Sequence, residues 1–371
     1  MTRDELGVAG ASSAPGHGLS RRVLRLAVAG FVTALCAQAS ASAAGAVGAR
    51  PSGPTTASSR AASTAVCAAA PRRHGELGVY AGAGAPSAAA AFASGTGHAL
   101  SIASDYLPGN DGWAGMSQPS SVDWLLNAWR GSGCALVLGV PLVPTDGSGN
   151  PQGTLAAGAA GAYNGSFATL ARTLVGGGWA NAILRLGWEF NADWHPWEVT
   201  DAGEAADYAA YWRQVVDTMR AVPGAAFSFV WNPNSSSDFG GAYTPDQAYP
   251  GDAYVTYVGT DVYDSCWCSP VTPRNAWRAQ VSQAWGLRWL ARFGAVHHKH
   301  VVLPEWGVSI RPDGHGLGDD PSFVAALRAW TTAHRVAWTS YFNFDAPDGQ
   351  HNLFDAAFAR SLTEFRKLRW G

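Results

Sequence analysis

Charge is scarce in this sequence: Asp, Glu, Lys and Arg make up 14% of its 371 residues and leave a formal net charge of -2. Neither a basic surface for nucleic acid nor a long acidic tract is available, so the expected partner is neutral. Long apolar runs are missing too. The stretch from Leu26 to about Leu35 is too short to span a bilayer comfortably. Cysteine is limited to five residues. Setting aside Cys36 in the N-terminal segment leaves Cys67, Cys134, Cys266 and Cys268, an even set whose pairing the spacing does not decide. Cys266-Trp267-Cys268 is tight for an unstrained bridge and lacks companion ligands for zinc, so a plain loop without metal is expected.

The first 74 residues lack what a core needs. Arg21, Arg22 and Arg25 precede the short apolar run, and small residues from Ala37 to Ala43 follow it, the layout of a secretion signal over 1–44. Ser20-Arg21-Arg22-Val23-Leu24 partly resembles a twin-arginine signal, which leaves the export route open. A released, extracellular protein without lasting membrane association is expected. Residues 45–74 are rich in Ala, Ser, Pro and Gly and read as a flexible linker. That leaves 75–371 as one folding domain.

What the chain has in abundance is tryptophan, 17 residues, whose flat rings suit both cores and the C–H faces of sugars. From residue 77 onward eight short apolar or β-branched runs alternate with segments of helical period. They are 77–82, 100–106, 134–143, 182–190, 226–234, 254–263, 301–308 and 336–344, with helices expected at Ser121–Trp129, Ala205–Arg220, Ala276–Phe293 and Pro321–His334 among others. Eight such units predict an α/β fold of the (β/α)8 TIM-barrel type, in which functional groups gather where strands end. Asp105, Glu189 with Asn191, Asn232 with Asn234, Asp261 with Tyr263, Glu305, and Asn343 with Asp345 all stand at such ends.

Two carboxyls on one rim are the minimum equipment for hydrolysing a glycoside: one protonates the leaving oxygen and the other meets the anomeric carbon. Glu189, within Arg185-Leu-Gly-Trp-Glu-Phe-Asn191, ends the fourth run. Glu305, within Leu303-Pro-Glu-Trp-Gly307, ends the seventh. Glu189 is read as acid/base, kept protonated by less polar surroundings and by its proximity to the anionic partner, and Glu305 as nucleophile, with Tyr263 bonding to it from the sixth run. Arg185 is expected to point into the barrel toward the nucleophile or to form a buried structural ion pair. Asn191, Asn232 and Asp261 join the substrate-binding rim. Trp194, Trp197, Trp306 and Tyr341 or Phe344 are candidate sugar platforms, with Trp113 a distal one. Trp124, Trp129, Trp285 and Trp289 fall on helices and are expected in the core.

The two-glutamate pattern on strands four and seven resembles that of the large retaining (β/α)8 glycosidase clan. Arg185-Leu-Gly-Trp-Glu-Phe-Asn-Ala-Asp-Trp-His-Pro-Trp197 and Tyr249-Pro-Gly-Asp252 through Asp261-Val-Tyr263 make the chain most similar to glycoside hydrolase family 26, over about residues 77–365. The resemblance implies a retaining, double-displacement hydrolase of a β-linked polysaccharide with no cofactor, β-mannan being the commonest substrate and β-glucan and xylan others. It departs at Trp188, where family members place a histidine, which puts the mannan specificity of the sugar subsite in question. Endo action and a monomer are the default expectations. A non-catalytic glycan-binding barrel is the alternative of another class. A dinucleotide reading from Gly82-Ala-Gly84 and Asp105 is opposed by Pro86 and Ser87, which stand where that fingerprint needs a helix opening and a third glycine.

Overall fold

The computed structural model describes residues 65–67, 74–235 and 243–370; the expected secretion signal and most of the expected linker lie outside them. All eight expected runs form strands: β1 (Glu76–Tyr80), β2 (Ile102–Tyr106), β3 (Ala135–Val140), β4 (Ile183–Leu186), β5 (Ser228–Trp231), β6 in two segments (Tyr257–Gly259 and Val262–Tyr263), β7 (His300–Gly307) and β8 (Trp338–Phe342). Every pairing between these strands is parallel; β6 pairs with β7 and β1 with both β2 and β8, so the sheet closes on itself. The result is the (β/α)8 barrel.

Side-chain alternation divides the apolar residues into two sets. Ile102, Val137, Ile183, Val230 and Val302 form a cluster of their own at the bottom of the barrel interior, closed by Trp338. A far larger cluster lies between the strands and the helices outside them. The helix Ala202–Arg220 shows how that outer layer supports the rim. Asp201 caps it by accepting from the amides of Gly203 and Glu204, which supplies two otherwise orphaned N–H groups with partners. Its buried face carries Tyr208, Tyr211, Trp212, Val215 and Met219 at helical spacing. Tyr208 and Trp212 then donate to the carbonyls of Gly187 and Leu186, propping the chain where it leaves β4.

Several expectations change on contact with the structure. The single helix expected over Ala276–Phe293 is two, Pro273–Ser282 and Leu287–Val296, broken at Gly286. A Cβ there would lie 2.5 Å from the carbonyl of Gln280, so only glycine permits the turn. Trp129 and Trp285 are buried, but Trp124 is 42% exposed, with its ring over Gly84. The linker expected over 45–74 is interrupted by a docked piece. Cys67 forms a disulfide with Cys134, and the amides of Val66 and Cys67 donate to the carbonyl of Ser132. Cys266 is joined to Cys268, against the expectation from their spacing.

The dinucleotide reading disappears with the closed barrel. Asp105 accepts from Gly84 N (2.8 Å), Trp129 Nε1 (2.7 Å) and Tyr106 N, so its carboxylate ties the first βα loop to the outer layer. Asp146, in a loop that superficially suggests calcium, is satisfied by the amides of Ser148 and Asn150. Among the described residues no helix is long and apolar enough to cross a membrane.

Asp264 follows β6 and is buried, and neither carboxyl oxygen has a hydrogen-bond partner among the described residues. Burial, reinforced by the charge of Asp320, pushes its pKa up to about 8. A carboxyl that binds its proton more tightly in the folded chain than in the unfolded one, near 3.9, contributes fully below the unfolded value. Its contribution fades as pH rises toward 8. Asp264→Asn is therefore expected to match the wild-type Tm near pH 4 and to exceed it at pH 8, by a stability difference on the order of a few kcal/mol. Thermal melts at both pH values check this.

Candidate active site

Arg185 stands two residues above Ile183 on the inward face of β4, and Asn232 two above Val230 just past β5. Period-two alternation therefore carries both from the apolar floor to the rim. Arg185 is 1% exposed and donates to four acceptors: Asn232 Oδ1 (3.0 Å), Asp261 Oδ2 (2.7 Å), Glu305 Oε2 (3.1 Å) and the Tyr106 hydroxyl (3.1 Å). Asn232 in turn donates to Asp261 at 2.9 Å. Burial alone would lower the arginine pKa, but Asp261, Tyr106 and Glu305 raise it and hold the guanidinium charged. Burial pushes Asp261 up, opposed by the Arg185 charge and reinforced by Glu305. Arg185 thus both touches Glu305 and makes a buried ion pair, combining the two alternatives its position offered.

Glu305 reaches this network because β7 is irregular. Leu303 pairs with Thr339 and Trp306 with Tyr341, so three steps on β7 answer two on β8, a β-bulge. Strict alternation would turn Glu305 outward and Trp306 inward. The extra residue reverses that: Leu303 and Trp306 both join the outer cluster, while Glu305 meets Arg185 inside. Its Oε1 accepts from the Tyr263 hydroxyl at 2.5 Å and its Oε2 from that of Tyr106. Burial first, and then the Glu305 charge, push both phenols well above the ordinary tyrosine value, so both stay protonated donors.

Glu189 sits in a second polar shell. Its φ of 52° is left-handed, a strained geometry for a residue with a Cβ, and its amide donates to the carbonyl of Asn232. The preceding Gly187 has φ 51°, and a Cβ there would lie 2.5 Å from Leu142. The chain thus turns sharply off β4 and delivers Glu189 over the rim. Oε1 accepts from Asn234 Nδ2 (2.5 Å) and Oε2 from Trp194 Nε1 (3.0 Å), with His195 Nε2 at 3.7 Å. Asn191 orients Asn234 by bonding both its carbonyl and its amide. Burial favours the neutral acid, yet the neighbouring His195 first, then Asn234 and Arg185, outweigh it and hold the Glu189 pKa below the ordinary value. The protonated Glu189 expected from less polar surroundings and a nearby anion is thus opposed by these neighbours.

Trp188 is buried between the two shells, with Tyr106 at 5.2 Å and His195 at 5.0 Å between ring centroids. Trp194 is half-buried beside Glu189. Three expected sugar platforms lie elsewhere. Trp197 is buried and donates to the carbonyl of Trp188. Trp306 is fully buried and stacks on Phe365 and Trp370. Tyr341 is fully buried and donates to the carbonyl of His351. The bulge accounts for Trp306, and Tyr341 shares its outward face across the pairing. Trp113 stacks on Tyr163 at 4.4 Å in the layer beyond β2, its indole N–H on Gln152 O. Tyr106 and His195 were not singled out by sequence, and Asn234 only as a strand-end residue. Tyr106 could have been: it ends β2 two residues beyond Ser104 and four beyond Ile102, on the same inward face.

The fold is the (β/α)8 barrel, with two carboxyls held at one rim. Residues 171–300 match the model of glycosyl hydrolase family 26. Among curated proteins none matches. Solved structures with this fold include the catalytic domain of a family 26 endo-β-1,4-mannanase from Bacillus sp. JAMB-750, 19% identical, with a TM-score of 0.52 over 74% of this chain and 78% of that one. A modular family 26 endo-β-1,4-mannanase from Cellulomonas fimi is 21% identical, with a TM-score of 0.53 over 74% of this chain and 64% of its own. Fungal β-1,4-galactanases share the fold at 12% identity, with a TM-score of 0.53 over 80% of this chain and all of theirs.

Removing Arg185 would leave Asp261 and Glu305 buried without their common cation. Arg185→Met is expected to cost about 3–5 kcal/mol in urea denaturation. Arg185→Lys, which keeps the charge but loses the planar fork, should fall between the two.

Proposed function

We propose that this chain is a retaining β-glycosidase that cleaves a β-linked polysaccharide by double displacement. Glu305 acts as nucleophile, Glu189 as acid/base, and β-1,4-mannan is the first substrate to test. The observation that carries the reading is the unequal setting of the two carboxyls. Glu305 is ringed by a guanidinium and two phenols, a constellation that orients an anion for attack. Glu189 stands apart on the next shell, with amide, indole and imidazole neighbours.

In the first step Glu305 attacks the anomeric carbon while Glu189 gives its proton to the departing glycosidic oxygen. Arg185, Tyr106 and Tyr263 fix the attacking oxygens. As the covalent ester forms, the carboxylate loses charge, and the two phenols can turn their hydrogen bonds toward the sugar. Glu189, now ionised, takes a proton from water, which attacks the anomeric carbon and restores the configuration. Trp194, beside the acid, offers a stacking face for the sugar on the leaving side. Trp188 occupies the position where family members place a histidine, so the subsite for the scissile sugar is where specificity would depart from mannan. Export and action outside the cell, read from residues 1–44, belong to the same proposal.

Mannan, glucomannan, β-1,4-galactan, mixed-linkage glucan and xylan form the test panel, with reducing ends as the readout. Glu189→Ala and Glu305→Ala should each lower turnover on the polymer that is cut, Glu189→Ala by about 10²–10⁴-fold. External azide should restore glycosyl azide formation in Glu189→Ala on an activated aryl glycoside. Binding to one polymer with no cleavage by the wild type would favour the non-catalytic barrel instead.

A further inference from the structure

His195 lies in an aromatic slot against the Glu189 side chain. Its ring stacks on Trp197 at 4.3 Å and 11° between planes, and Trp188 meets it edge-on at 5.0 Å. Trp194 closes the remaining side at 6.4 Å. The imidazole is 3% exposed, and neither ring nitrogen has a hydrogen-bond partner among the described residues. Such a group is costly to bury. The polar atom facing it is Glu189 Oε2, 3.7 Å from Nε2, and the other charges it feels are Glu305 and Arg185. Among the described residues no backbone carbonyl fixes a tautomer, so the ring can hold or release a proton toward that carboxylate.

We propose that His195 is a positioning residue for the Glu189 proton: the two side chains hold one proton between them, and His195 keeps it available until the leaving oxygen arrives. In the resting pair the proton rests on Nε2 of His195 beside ionised Glu189. When the glycosidic oxygen approaches, the Nε2–H bond breaks as an Oε2–H bond forms on Glu189. That O–H bond then breaks as the leaving oxygen gains the proton. During release of the glycosyl ester Glu189 takes a proton from the attacking water, and this returns the pair to one shared proton. Burial holds the histidine pKa below its ordinary value against the opposing pull of Glu189, and His195 in turn lowers that of Glu189. This inference rests on Glu189 being the acid/base.

The pH consequence has a fixed sign. For two coupled groups the last proton leaves at a pH above the value either group would show with its partner deprotonated. Replacing His195 by a group of similar size that does not titrate must therefore move the basic limb of kcat/KM to lower pH. His195→Gln keeps an N–H donor and His195→Phe keeps the stack. Both are expected to shift that limb down by about one unit, with a larger loss on polymer than on an aryl glycoside whose leaving group needs no proton. A limb that stays in place in both variants overturns the inference.

A second measurement needs no substrate. The His195 imidazole, followed by ¹⁵N NMR in the full chain, should titrate at lower pH in Glu189→Gln than in wild type. An unchanged midpoint overturns the pairing even where the enzyme cleaves glycans. A shifted midpoint in a chain that cleaves none upholds the pairing and overturns the functional reading instead.

Discussion

One guanidinium organises the top of this barrel. Arg185, buried between Asp261 and Glu305, is the cation that lets two carboxyls share a space closed to water, and its planar fork decides where each must stand. Such a group is expensive to desolvate and stays in place only when every donor has a geometrically suitable acceptor. Four strands and their ends supply them: Tyr106 from β2, Asn232 after β5, Asp261 within β6 and Glu305 from β7. The apolar floor beneath, from Ile102 to Val302, keeps this polar layer at the rim.

The division of labour proposed for the two glutamates follows from the same constraint. Glu305 is one member of a rigid ring that includes Tyr106 and Tyr263 and has little freedom to change partners. Glu189 is delivered by a strained turn that Gly187 permits and Tyr208 supports. Of its neighbours, the Asn234 amide can turn and His195 can titrate as its charge changes, while the Trp194 indole remains a donor. A nucleophile gains from fixed orientation, whereas an acid/base must exist in two protonation states within one cycle.

How much of this was legible in the sequence depends on which rule each residue obeys. The eight strands were, because apolar runs of strand length separated by helical periods leave few other folds. Arg185, Asn232 and Asp261 were, because strict alternation and strand-end placement put them on the rim. Trp306 was misread because the bulge in β7 changes face within three residues, and no local composition announces it. Trp197 and His195 share one short loop, yet one packs under Trp188 while the other faces Glu189, a distinction made by the turn at Glu189 rather than by residue type. The Cys67–Cys134 bond joins a piece of apparent linker to the strand-three entrance, a contact visible only in three dimensions.

The central claim is that Glu305 forms the covalent bond, and trapping that bond tests it most directly. An activated 2-fluoro glycoside of whichever sugar the polymer panel selects slows release of the ester. The account predicts one glycosyl unit per chain by mass spectrometry, carried on the peptide that contains Leu303-Pro304-Glu305-Trp306 and absent from Glu305→Ala. A product released with inverted anomeric configuration and no adduct, or an adduct on another residue, would contradict it.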